Sequence, residues 1–158
     1  MNNINITIRT AHASLWRRLA AMVYDIIVML AIWIIIGFIV LSAFGIDQAQ
    51  IVENDHVVMD PYYRLTLFTS MLASAFLFFS WFWTHSGQTL GMQAWKLRVQ
   101  NKDASAISYK QSLIRFVVAP FSLVVLGAGY FYMFINKKKL TLPDLLSNSV
   151  VLKETWGK

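Results

Sequence analysis

The run from Leu19 to Phe44, LAAMVYDIIVMLAIWIIIGFIVLSAF, contains a single charged residue, Asp25. About 20 apolar residues in a helix cross the hydrocarbon core of a bilayer, so this run is long enough to span one. It starts too late and runs too long for a cleavable signal peptide. Two more stretches behave alike: 65–84, with no charge, and 113–135, with Arg115 near its start. The whole chain is 158 residues, 57% of them hydrophobic and 14% charged. Soluble domains are roughly 25% charged, so too little polar surface remains to cover a water-soluble globule. The expected fold class is an all-α membrane protein with hydrophobic helical segments at about 19–44, 65–84 and 113–135.

The flanking segments differ in sign. Residues 1–18 carry Arg9, Arg17 and Arg18 and no acid, whereas 45–64 sets Asp47, Glu53, Asp55 and Asp60 against Arg64. The segments 85–112 and 136–158 are rich in lysine. Basic loops stay cytoplasmic, which predicts a multi-pass protein of the inner membrane with a cytoplasmic N-terminus and an outward 45–64 loop. Three full crossings would put Lys137, Lys138 and Lys139 outside, against that bias. Pro120 and the Gly127-Ala-Gly129 break offer a remedy: a broken or re-entrant third segment, tolerated where protein covers the freed backbone. Both β-like runs, 97–100 and 149–152, would then lie on the cytoplasmic side and pair as a small ribbon. Local signals fix two helix starts. Asp60-Pro61 caps and opens the second span, and Ser108 with Gln111 forms a capping box for the third.

Four motifs in order resemble the RDD family of small integral membrane proteins, named for one arginine and two aspartates. They are Trp16-Arg-Arg-Leu-Ala-Ala-Met-Val-Tyr-Asp25, Gly87-Gln-Thr-Leu-Gly91 with Leu97-Arg98-Val99, Leu126-Gly127-Ala-Gly129, and Thr141-Leu-Pro-Asp144-Leu-Leu-Ser-Asn-Ser-Val-Val151. Against the family pattern, Met92 stands in place of a lysine, Lys96 of a glycine, Pro143 of a histidine, and Asn148-Ser149 of Gly-Thr. The resemblance implies membrane residence and a shared domain over 14–152, between a cytoplasmic N-terminal tail, 1–13, and a C-terminal tail, 153–158. Transport is often suspected of this family, and the resemblance leans the functional expectation that way.

Asp25 is the sharpest candidate residue, because a charge within a span faces a partner or a water-filled cavity. Either it locks helix packing through Arg115 or a backbone donor, or it carries an ion or proton. Arg17 and Arg18 serve as topology determinants and lipid-phosphate contacts, or one of them pairs with Asp144. A folded-back third segment would gather Arg17, Arg18, Asp25, Arg115 and Asp144 into one charge cluster at the cytoplasmic face. Lys137–Lys139 suits the anionic headgroups of that face. His85, after Trp81 and Trp83, reads as part of an interfacial aromatic belt.

Two functions follow. One is a small ion- or proton-coupled transporter acting through Asp25, which requires a homo-oligomer because so few helices cannot enclose a path. The other is a non-catalytic membrane component that binds lipid or a partner protein, with the Arg/Asp cluster as structural glue. The chain has no cysteine, no metal-ligand spacing among its histidines, no catalytic triad and no nucleic-acid motif. The expectation is therefore no enzyme, no metal, no cofactor and no nucleic-acid partner.

Overall fold

The computed structural model describes residues 11–46, 49–53, 56–124, 128–135 and 140–154. They form two compact units, one of the described residues up to Asp25 and from Phe79 onward, the other Ile26–Phe78. Two long helices, α1 (Leu15–Phe44) and α2 (Pro61–His85), belong partly to each. Both are long and apolar enough to cross a membrane, and in each only 11% of the most apolar window is buried. The core helix of a soluble protein would be mostly buried. Here Ile34 and Phe38 of α1 are each 73% exposed, and Leu77 of α2 is 66% exposed.

The unit Ile26–Phe78 holds one small core. Val40, Ala49 and Tyr63 are buried against Ile36, Leu41, Phe44 and Leu67, with Phe44 edge-on to Tyr63 at 5.6 Å. The Trp33 indole N–H donates to the Met71 carbonyl at 3.1 Å. As the sequence predicts, Asp60 caps α2, its Oδ1 accepting from the Tyr62 and Tyr63 amides at 2.8 and 3.0 Å. Before it lies an antiparallel hairpin that was not expected, β2 (Gln50–Glu53) with β3 (His56–Met59).

The other unit is mixed rather than all-α. A three-stranded antiparallel sheet has the order β1 (Ala11–His12), β5 (Ser149–Lys153), β4 (Leu97–Asn101). The expected ribbon exists, registered from Leu97 opposite Lys153 to Asn101 opposite Ser149, and β1 extends it. An isolated strand pair is marginal, and here both faces of β5 are used. Val151 joins the core of Leu97, Val99, Ala21 and Trp83, while Val150 and Leu152 pack with Leu140. A strand covered on both faces reads as a continuous apolar run, which accounts for Val-Val-Leu.

The third apolar stretch is not one spanning helix. It forms α4 (Tyr109–Val124) and α5 (Ala128–Ile135). The predicted capping box starts α4, with Ser108 N–H donating to Gln111 Oε1 at 2.9 Å and Gln111 N–H to Ser108 Oγ at 3.3 Å. A Cβ built on Gly129 would stand 3.2 Å from the Cα of Ser122. In a continuous helix those two residues would be about 10 Å apart, so the chain folds back there, and only glycine allows so close an approach. Two short helices complete this unit, α3 (Leu90–Ala94) and α6 (Leu142–Leu146).

Candidate functional site

Two buried acids organise the unit that holds the sheet, and each is built differently. Asp144 is 1% exposed on α6. Arg18, from the first turn of α1, donates through Nη1 to its Oδ2 at 2.7 Å. Arg115, from α4, donates through Nη1 to its Oδ1 at 2.9 Å. The Thr141 backbone N–H also donates to Oδ2, at 3.2 Å. The guanidiniums are held in turn. Arg18 donates to the carbonyls of Ala13 and Val151. Arg115 Nη1 reaches the hydroxyls of Ser149 at 2.6 Å and Ser147 at 3.4 Å, and its guanidinium lies over the Trp83 ring, 5.5 Å from the centroid. Burial pushes the Asp144 carboxyl up, but the Arg115 and Arg18 charges outweigh it and hold the group below the usual carboxylate range. One acid thereby joins α1, α4, α6 and β5, elements far apart in the chain.

Asp25 lies elsewhere and does not meet the arginines. It is 5% exposed, and both its oxygens accept from neutral donors: Oδ2 from the Thr89 hydroxyl at 2.5 Å, Oδ1 from the Gly91 amide at 2.8 Å. Thr89 is the N-cap of α3, and its hydroxyl also accepts from the Met92 amide. The free N–H groups of a helix start suit an acceptor, and Asp25 supplies one from a separate helix. Gly91 makes this approach feasible, since a Cβ there would collide with the Ala21 carbonyl. Among the described residues no guanidinium or ammonium lies within ion-pair distance of Asp25.

The expected cluster of five charges is thus corrected to three: Arg18, Arg115 and Asp144. Asp25 separates from them because it is seven residues beyond Arg18, about 10 Å along α1. Arg17 stays out because successive residues point about 100° apart on a helix; it is half-exposed and makes no hydrogen bond or ion pair among the described residues. Lys137, Lys138 and Lys139 lie outside the described residues. His85 stacks on Trp81, with ring centroids 3.8 Å apart. Sequence reasoning passed over Thr89, Ser147 and Ser149 as partners. For Thr89 a signal existed, a threonine followed by Leu-Gly at a helix start, which is an N-cap pattern.

Lys96 and Asn148 both have positive φ, 54° and 49°. Asparagine tolerates that region better than lysine. Met92 is buried in the apolar core.

In comparison with known proteins, a family model described as the RDD family matches residues 12–148. No curated protein and no solved structure gives a match.

Proposed function

The chain belongs to the RDD family, and on that premise we propose that it is a multi-pass protein of the cell inner membrane that exchanges a proton or cation at Asp25. The N-terminus lies on the cytoplasmic side in this reading. One observation carries it: of the two acids buried among the described residues, Asp144 has two guanidinium partners and Asp25 has none among those residues. A buried carboxylate without a counter-charge is costly, and the cost falls when a proton or cation joins it. Ionisable residues inside a span mark such pathways. The Arg18–Asp144–Arg115 set is the structural clamp, because its carboxylate already has cationic partners. Two long helices per chain cannot enclose a path, so the working unit is a homo-oligomer. The proposed role involves no covalent chemistry and no cofactor.

The test uses proteoliposomes loaded with a pH-sensitive dye and placed under a sodium or potassium gradient. The wild-type protein should collapse or generate a proton gradient, and Asp25→Asn should abolish that while leaving the protein folded. Equal flux from Asp25→Asn and wild type would end this reading.

A second reading has its own support, since each Asp25 oxygen already accepts one hydrogen bond. In it Asp25 fastens α3 to α1, and the protein is a non-catalytic membrane component that binds lipid or a partner protein. It predicts no flux at all and a stoichiometric heterologous partner after extraction in mild detergent.

A further inference from the structure

The outer surface of α4, α5 and α6 is inverted relative to a soluble protein. On α4, Ser112, Arg115 and Ser122 are buried, at 0%, 7% and 3% exposure, while Leu113, Val117 and Phe121 are 48%, 47% and 67% exposed. At 100° per residue the polar set and the apolar set occupy opposite sides of the helix. The other two helices repeat the arrangement. On α5, Tyr130 is buried and Phe131 and Phe134 are 56% and 70% exposed; on α6, Asp144 is buried and Leu146 is 54% exposed. An apolar exterior over a polar interior is stable only where the surroundings are apolar.

These helices are too short to cross. A 16-residue α4 is about 24 Å long and the 8-residue α5 about 12 Å, against a hydrocarbon core of roughly 30 Å. Gly129 on Ser122 turns the chain back. Tyr109 and Lys110 are exposed at the start of α4, and Lys102, in the turn after β4, is exposed as well, its Nζ donating to Asn148 Oδ1 at 3.0 Å. The acid between them, Asp103, is occupied by the Ser105 hydroxyl and amide. Within the same unit the start of α1 also exposes apolar residues, with Trp16 74% and Val23 54% exposed.

We infer that α4, α5 and α6 form a lipid-seated surface that enters one leaflet of an anionic membrane without crossing it. Acyl chains cover Val117, Phe121 and Phe134, and Lys102 and Lys110 meet the anionic headgroups. The lysines at one end and the apolar stripe beyond them match the layered chemistry of an interfacial helix. This deepens the membrane reading above and rests on it.

The absence of cysteine makes single-site spin labelling direct. Phe121→Cys, Val117→Cys, Lys110→Cys and Ile34→Cys are each labelled and placed in vesicles of phosphatidylglycerol and phosphatidylcholine. Labels at 117 and 121 should be reached by oxygen and not by an aqueous nickel complex, at a depth short of the bilayer midplane, while the label at 110 should show the reverse. Spin-labelled phosphatidylglycerol should associate in preference to phosphatidylcholine, and Lys102→Gln with Lys110→Gln should remove the preference. A water-exposed label at 121, a label there reached by neither reagent because a second copy covers it, a midplane depth, or no lipid preference would each overturn the inference. The label at Ile34 separates the two levels. If it reads as lipid-exposed while 121 does not, only this inference falls; if it reads as water-exposed, the membrane reading falls as well.

Discussion

Asp144 and Asp25 are withdrawn from solvent to a similar degree, 1% and 5% exposed, yet they are stabilised by different means. Asp144 sits between two guanidiniums and keeps its charge. Asp25 is met by a hydroxyl and an amide and has no opposite charge near it among the described residues. The first arrangement makes removal of the acid damaging, because two buried guanidiniums lose their anion. The second asks only that two donors keep an acceptor, which a neutral side chain can supply. The difference separates an acid clamped by charge from one held by neutral donors.

The largest test of the contrast is Asp144→Ala, which strands two buried arginines and should cost about 3–5 kcal/mol, read as lost folded yield or a lowered unfolding midpoint in detergent. If Asp25→Asn proves as damaging, the comparison fails. Gly91→Ala comes next. The added methyl meets the Ala21 carbonyl, and such overpacking costs about 1–3 kcal/mol, with the Asp25 hydrogen bonds disturbed as α3 moves. Asp25→Leu leaves the Gly91 amide and the Thr89 hydroxyl without their acceptor, for about 1–3 kcal/mol. Asp25→Asn keeps an acceptor and should lose distinctly less, so thermal unfolding of the pair isolates the role of the charge.

Acid sharpens the same contrast. The Asp144 carboxyl is held below its usual range by Arg115 and Arg18 against the opposing pull of burial. Its folded pKa is lower than its unfolded pKa, so on acidification the unfolded chain takes up its proton first. The stabilisation is therefore present above the unfolded value, about 3.9, and is lost as pH falls through the folded value. Thermal unfolding of wild type should weaken as pH falls below about 4, and Asp144→Asn should flatten that dependence. The smallest effect is expected at Lys96, whose φ of 54° favours glycine. Lys96→Gly relieves roughly 1–2 kcal/mol of left-handed strain but gives back about 0.5–1 kcal/mol in chain entropy. A net gain of about 0–1.5 kcal/mol should appear as a slightly raised unfolding temperature.

Much of the fold was legible where interactions are local. Asp60-Pro61 and Ser108–Gln111 announced helix starts because a cap and its target lie two or three residues apart. The strands at 97–100 and 149–152 were visible in their apolar content. The long apolar helices at Leu19–Phe44 and 65–84 were legible by length and hydropathy alone. The third stretch is apolar too, and the contact of Gly129 with Ser122 shows that it is not one continuous helix.

The candidate site was legible as a set of residues and not as a set of partners. A charge in an apolar run is conspicuous, so Asp25 and Arg115 stood out from the residues themselves, while Arg18 came from the basic flank and Asp144 from the resemblance of the 141–151 motif. Which of them meet is a matter of helices brought together across 126 positions for Arg18 and Asp144. Asp25 found Thr89, 64 positions away, instead of an arginine, because two turns of α1 separate it from Arg18. Sequence determined which groups must be satisfied once water is excluded, since desolvation depends on residue type. Tertiary structure alone decided how, since a hydrogen bond requires a donor within about 3 Å and that placement belongs to the packed chain.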